Sequence, residues 1–124
     1  SDPIDVLSSM ATWLAPGGKI LVTVPNAESL HRRLAVIMGL QQELNSLSPR
    51  DHIVGHLRVY DLASAKRDIE SAGLKIQQVD GFVLKPLPNS MMVGFSHELL
   101  RAMHTISPQL DPRICANLGL VVTK

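Results

Sequence analysis

The sequence predicts a single α/β domain spanning residues 1–124, a small sheet flanked by helices. Three observations predict it. Helical and extended patterns alternate along the chain, in the order helix, strand, helix, loop, helix, strand, helix, strand. One extended run, Lys19-Ile20-Leu21-Val22-Thr23-Val24, is β-branched and almost continuously apolar, the pattern of a strand covered on both faces. And 124 residues, 45% of them hydrophobic, can bury one core of ordinary size, with no repeat or low-complexity tract to suggest a solenoid.

The first helix opens at Asp2-Pro3, an oxygen acceptor for free amides followed by a residue whose φ is already helical. Ile4, Leu7, Met10, Ala11 and Leu14 then share one face, with Trp13 close to it. Pro16-Gly17-Gly18 ends the helix and turns the chain into the strand Lys19–Val24. Beyond Pro25-Asn26 a helix is expected from about Glu28. Its apolar face would be Leu30, Leu34, Ile37 and Met38, with His31, Arg32 and Arg33 pointing outward. Leu40, Leu44 and Leu47 would add a turn or short helix, and Ser48-Pro49-Arg50-Asp51 a loop. If Gly55–Tyr60 is extended, His56, Arg58 and Tyr60 lie on one side and Leu57 and Val59 on the other. Asp61 caps the next helix, whose buried stripe is Leu62, Ala65, Ile69 and Ala72 and whose stop is Gly73.

A second strand is expected over Leu74–Leu84. Leu74 and Ile76 point inward, the alternation breaks at Val79, and Gly81 marks a bulge or bend. Lys85-Pro86-Leu87-Pro88-Asn89 is a rigid connector. Ser96 caps a helix carrying Leu99, Leu100, Met103 and Ile106. After the breakers Ser107-Pro108 and Asp111-Pro112, Arg113–Thr123 reads as the last strand.

Composition excludes several function classes. Twelve basic and 11 acidic residues give a net charge of +1, and aromatics are 3%, so neither an electrostatic footprint nor stacking platforms for nucleic acid are present. No apolar run approaches the ~18 residues of a membrane span, and no signal peptide is visible. The single cysteine, Cys115, forbids an internal disulfide and points to a reducing compartment, the cytoplasm.

The run Trp13-Leu14-Ala15-Pro16-Gly17-Gly18-Lys19-Ile20-Leu21-Val22-Thr23-Val24-Pro25-Asn26 resembles a segment of class I S-adenosylmethionine-dependent methyltransferases. There a helix, a Pro-Gly-Gly turn and the fifth sheet strand follow one another. Glu28-Ser29-Leu30-His31-Arg32-Arg33, Gly55-His56-Leu57-Arg58-Val59-Tyr60-Asp61 and Glu70-Ser71-Ala72-Gly73-Leu74 continue the likeness in order. The resemblance implies the C-terminal half of a Rossmann-like fold. Its sheet would be small and mixed, of three strands, with Arg113–Thr123 antiparallel and central between Lys19–Val24 and Leu74–Leu84. It implies S-adenosylmethionine as cofactor of the intact family. The family's glycine-rich turn after the first strand has no counterpart, since none of the eight glycines forms Gly-x-Gly. The chain alone is therefore expected neither to bind the cofactor nor to transfer methyl groups. It would be the substrate-side part of an enzyme or, alternatively, a stand-alone interaction or dimerisation module that has shed catalysis. Its partner, a second copy or the missing N-terminal half, is expected along the open edge of Lys19–Val24.

His56, Arg58 and Tyr60 are the strongest site candidates, because the resemblance sets their loop near the substrate side of the cleft. Histidine can take a proton, arginine can hold a carboxylate or phosphate, and tyrosine can orient either. The structural alternative is a loop tied to the body by hydrogen bonds, with Tyr60 packed beneath it. Asn26, His31 and Arg32 follow the carboxyl end of the fifth strand, where open α/β sheets bind ligands. Asn26 as a turn residue and Arg32 and Arg33 as a solvated helix face are the corresponding structural readings. No metal site is expected. His52 and His56 are four apart, but Gly55 and Pro49 argue against the helix that would align them. Cys115 reads as a small buried hydrophobe, and Met91, Met92 and Phe95 as core or dimer packing.

Overall fold

The structure is a computed structural model that describes residues 2–41, 43–44 and 59–124. Helix α1 (Pro3–Trp13) begins as its first residues dictate: the Asp2 carboxylate accepts from the Ile4 N–H at 2.9 Å, with Pro3 in the first turn. Strand β1 (Ile20–Pro25) follows the Pro-Gly-Gly turn, and helix α2 (Leu30–Ile37) follows β1. After the segment outside the described residues, helix α3 (Leu62–Ser71) starts on a reciprocal cap. Asp61 accepts from the Ser64 N–H at 2.7 Å, and the Ser64 hydroxyl accepts from the Asp61 N–H at 3.0 Å. Gly73, at φ +80°, closes α3 in the left-handed conformation that a Cβ disfavours.

Strand β2 (Lys75–Phe82) is followed by a 3-10 turn at Asn89–Met91 and helix α4 (His97–Ile106), where Ser96 Oγ accepts from the Leu99 N–H. Two further 3-10 turns, Ser107–Gln109 and Pro112–Ile114, lead into strand β3 (Asn117–Thr123).

The sheet order is β1-β3-β2. The last strand lies between the other two, as expected, and runs antiparallel to both, with Ile20 opposite Val122 and Phe82 opposite Asn117. Both pairings being antiparallel, the three-stranded sheet is not mixed; β1 and β2 point the same way without touching. The last strand is also shorter than Arg113–Thr123, because Pro112–Ile114 forms a turn. One face of the sheet meets α1 and α3. Leu7, Ile20, Ala65, Ile69, Leu74, Leu118, Leu120 and Val122 form this core, with Met10, Leu14, Val22, Val24, Ile76 and Val79 packed around it.

Four expectations fail for physical reasons. Leu21 is 70% exposed, so β1 is covered on one face only: Leu21 and Thr23 point to the side that α1 and α3 do not reach. Trp13 is 77% exposed and lies outside the core stripe of α1. The face of α2 is rotated: Arg32 and Ala35 are buried, whereas Ile37 is 80% exposed and Met38 is exposed. The break in β2 sits at Gln77, the extra residue between Ile76 and Gln78, and not at Gly81. Gly81 has another role. A Cβ there would lie 2.7 Å from Pro112 Cα and 2.9 Å from Cys115 Sγ, so glycine lets the turn before β3 pack directly on β2.

Helix α4 carries its apolar stripe as expected, but none of its residues is buried. Met91 is exposed, and Met92 and Phe95 are half-buried.

Candidate functional site

The carboxyl end of β1 is a junction of three chain segments, and Asn26 ties them together. Its side chain is fully buried. The amide nitrogen donates to the carbonyl oxygens of Arg113 at 2.6 Å and Cys115 at 2.9 Å, and Oδ1 accepts from the Glu28 N–H at 3.0 Å. Its main chain donates to Ala116 O at 2.9 Å and forms a parallel bridge with Tyr60, reinforced by the Ala27 N–H donating to Tyr60 O at 2.7 Å. A buried carbonyl left without a donor costs about 1–3 kcal/mol, so these bonds fix the edge. Asn26 thus fills the turn role that the sequence allowed for it.

Tyr60 is tied down at both ends. Its main chain joins Asn26 and Ala27, and its hydroxyl donates to Asp68 Oδ2 on α3 at 2.8 Å. His56 and Arg58 lie outside the described residues, as does His52.

His31 stands in the first turn of α2, where Ser29 Oγ and His31 Nδ1 share a hydrogen bond of 3.0 Å. Ser29 is fully buried and caps α2 by position alone, because its hydroxyl is given to His31 and not to a helix amide. Arg32 is 7% exposed and donates from Nη1 to the Leu44 carbonyl at 2.9 Å. It is neither outward-pointing nor part of a solvated face. Its stem packs, and its head fastens the chain beyond α2. Arg33 is exposed and donates from Nε to the Glu28 carbonyl at 2.7 Å.

A charged pair at the same edge was not visible in the sequence. Arg113 holds Asp111 by two nitrogens, the closer contact being 2.7 Å, and the Arg113 N–H adds a third bond. The Arg113 guanidinium and N–H hold the Asp111 carboxyl down at about 2, and the same pairing raises Arg113. Asp-Pro-Arg invites this contact within one turn, but nothing in the sequence says that Asn26 will draw the turn to the end of β1.

Cys115 is fully buried, and its thiol donates weakly to Ser107 O at 3.7 Å. Burial pushes the thiol up, and Asp111 adds to the shift, so it stays protonated, consistent with the reading as a small hydrophobe. Among the described residues no cluster of His, Cys, Asp and Glu could hold a metal ion.

The described residues do not fit S-adenosylmethionine. Such a ligand needs a strand end where the backbone, stripped of Cβ atoms, lies open to it. Gly81 is the described glycine near the carboxyl end of a strand running like β1, and Pro112 and Cys115 fill the space over it. What the edge carries instead is an imidazole hydrogen-bonded to a hydroxyl, the Asp111 carboxylate, and the Arg33 and Arg113 guanidinium groups.

Beneath the edge, between α1 and α3, lies a pocket of about 250 Å³. Pro3, Val6 and Leu7 form one side, Val22 and Val24 the floor, and Tyr60, Ala65 and Ile69 the other side.

Residues 1–79 match a protein family described as "Methyltransferase domain". The chain is also similar to the ubiquinone biosynthesis O-methyltransferase of Aeromonas salmonicida (strain A449). The two are 26% identical over 108 residues, 87% of this chain and 44% of the relative. The chain therefore spans less than half the length of the curated relative it matches. No helix among the described residues is long and apolar enough to cross a membrane.

Proposed function

The chain belongs to the methyltransferase-domain family, and from that premise we propose that it is the acceptor-side half of an S-adenosylmethionine-dependent methyltransferase. The cofactor-binding half would lie along the open edge of β1. The observation that carries this reading is topological. Helices α1 and α3 pack on the same face of the sheet, and β1 and β2 run in the same direction. Crossovers between strands of one direction are right-handed in nearly all sheets. With α3 crossing from β1 towards β2, a strand feeding α1 on the same face belongs on the other side of β1, parallel to it. That edge is prepared for pairing. It presents Ile-Leu-Val-Thr-Val with no charge, whereas the edge of β2 carries Lys75, Asp80 and a bulge at Gln77.

In this reading Asn26 and Tyr60 shape the edge and His31 is the proton acceptor of the set, with Ser29 fixing its ring. His56 and Arg58, which lie outside the described residues, are assigned to the acceptor side on the sequence resemblance alone. The cofactor, held by the other half, would supply the sulfonium methyl; this chain's residues would orient the nucleophile and hold its proton. The relative's name supports an oxygen nucleophile.

Calorimetric titration of the 124-residue chain with S-adenosylhomocysteine tests the reading. No heat of binding is expected up to about millimolar ligand, where even weak specific sites fill. Micromolar binding would show that the chain builds its own cofactor site. A stable homodimer with no cofactor binding in any longer form would favour the non-catalytic module.

A further inference from the structure

We propose that the pocket between α1 and α3 is a binding site for an uncharged apolar group about the size of one aromatic ring. Its volume is about 250 Å³. The walls are almost wholly apolar and give water few hydrogen-bonding partners, so an apolar guest seated there gains dispersion contacts that water does not supply. In another protein an aliphatic and aromatic cavity of ~150 Å³ stays dry and takes benzene. The walls here are of the same kind: Val6 and Leu7 from α1, Val22 and Val24 from β1, Ala65 from α3, and the ring of Tyr60. The Tyr60 hydroxyl is turned to Asp68, away from any demand for a polar ligand. Among the described residues no buried side-chain nitrogen or oxygen lacks a partner, so nothing at this site calls for a charged or hydrogen-bonding guest.

Two placements make the pocket a site and not a packing defect. Val6 is 44% exposed while lining it, so the space opens to solvent over α1. Val24 and Tyr60 join it to the carboxyl edge, since Tyr60 pairs with Asn26. A group seated there lies directly under the segment on which open α/β sheets hold their ligands. The claim does not depend on the methyltransferase reading.

The experiment follows the methyl NMR signals of the whole chain during titration with toluene. Saturable shifts at Val22, Val24 and Leu7 are expected at roughly millimolar ligand, the range for a guest of one ring. Benzoate, similar in size but charged, should produce none. Val6→Trp, at an exposed rim position that folding does not depend on, should weaken toluene at least about tenfold by covering the mouth. Ala65→Leu should do the same by filling the pocket from the α3 side while raising Tm. Absence of saturable shifts in the unmodified chain overturns the proposal, as does equal binding of benzoate. So does toluene binding that survives both substitutions. If the pocket is filled by a second copy, toluene will fail to bind and the chain will run as a dimer; that result also refutes it.

Discussion

Replacing Asn26 by aspartate keeps the side chain's shape and removes its two donated hydrogen bonds. The amide nitrogen that meets Arg113 O at 2.6 Å and Cys115 O at 2.9 Å becomes an oxygen facing two oxygens. The third bond, from Glu28 N–H to Oδ1, survives. Each carbonyl left without its donor costs about 1–3 kcal/mol, so the loss is about 2–6 kcal/mol. A domain of this size is stable by about 5–15 kcal/mol in all, which makes the loss a large fraction of the whole. The aspartate can soften it by keeping its proton and donating to one carbonyl. Its folded-state pKa would then stand above the unfolded value of ~3.9. Between those two values the folded state holds a proton that the unfolded state has released, so stability falls as pH rises. The slope is about 1.4 kcal/mol for each unit of pH. Urea denaturation by far-UV circular dichroism at pH 4 and pH 7 measures both effects. The variant should be destabilised at both, and more at pH 7. A variant within about 1 kcal/mol of the parent at pH 7, with no pH dependence, would refute the role given to Asn26.

Three further outcomes are expected. Gly81→Ala places a methyl 2.7 Å from Pro112 Cα and should cost about 1–3 kcal/mol in chemical denaturation, with the turn before β3 lifted from β2. Asp61→Ala removes the cap of α3 and should cost about 1 kcal/mol. Because the Ser64 N–H and then its hydroxyl hold the Asp61 carboxyl below its ordinary value, that contribution is present above the unfolded carboxylate pKa. It is lost as pH falls through the folded one, and thermal melts of parent and variant should converge in acid. Val83→Asn should raise Tm, because Val83 sits at φ +66°, a left-handed conformation that costs a β-branched residue about 1–2 kcal/mol and that asparagine tolerates.

What the sequence revealed was local. Asp2 before Pro3, Asp61 three residues before Ser64, and Gly73 after the last helical turn each mark a boundary by their own backbone chemistry, and each lies where expected. The central position of the last strand came from the resemblance and not from periodicity, which carries no strand order. The failures are all questions of what lies opposite a side chain. Leu21 sits in a run that looks covered on both faces, but a strand's own residues do not say whether its second cover lies among its neighbours. Apolar spacing on α2 favoured Leu30, Leu34 and Ile37. The helix instead buries Ala35 and the stem of Arg32, because that guanidinium finds the Leu44 carbonyl, a partner twelve residues away. The candidate site was half legible. The carboxyl end of β1 could be located from the strand alone. That Asn26 would be a clasp, that Ser29 would hold His31, and that Arg113 would arrive from 87 residues away required the folded chain.

The measurement that bears most directly on the account is amide hydrogen exchange along β1 in the chain alone, residue by residue. An unpaired edge predicts that alternate amides of Ile20–Val24, those turned away from β3, exchange orders of magnitude faster than the amides of Leu118–Val122. Adding the remainder of the domain should slow them. Uniform protection of β1 in a monomer would contradict the account, because the edge proposed to receive the cofactor-binding half would already be closed.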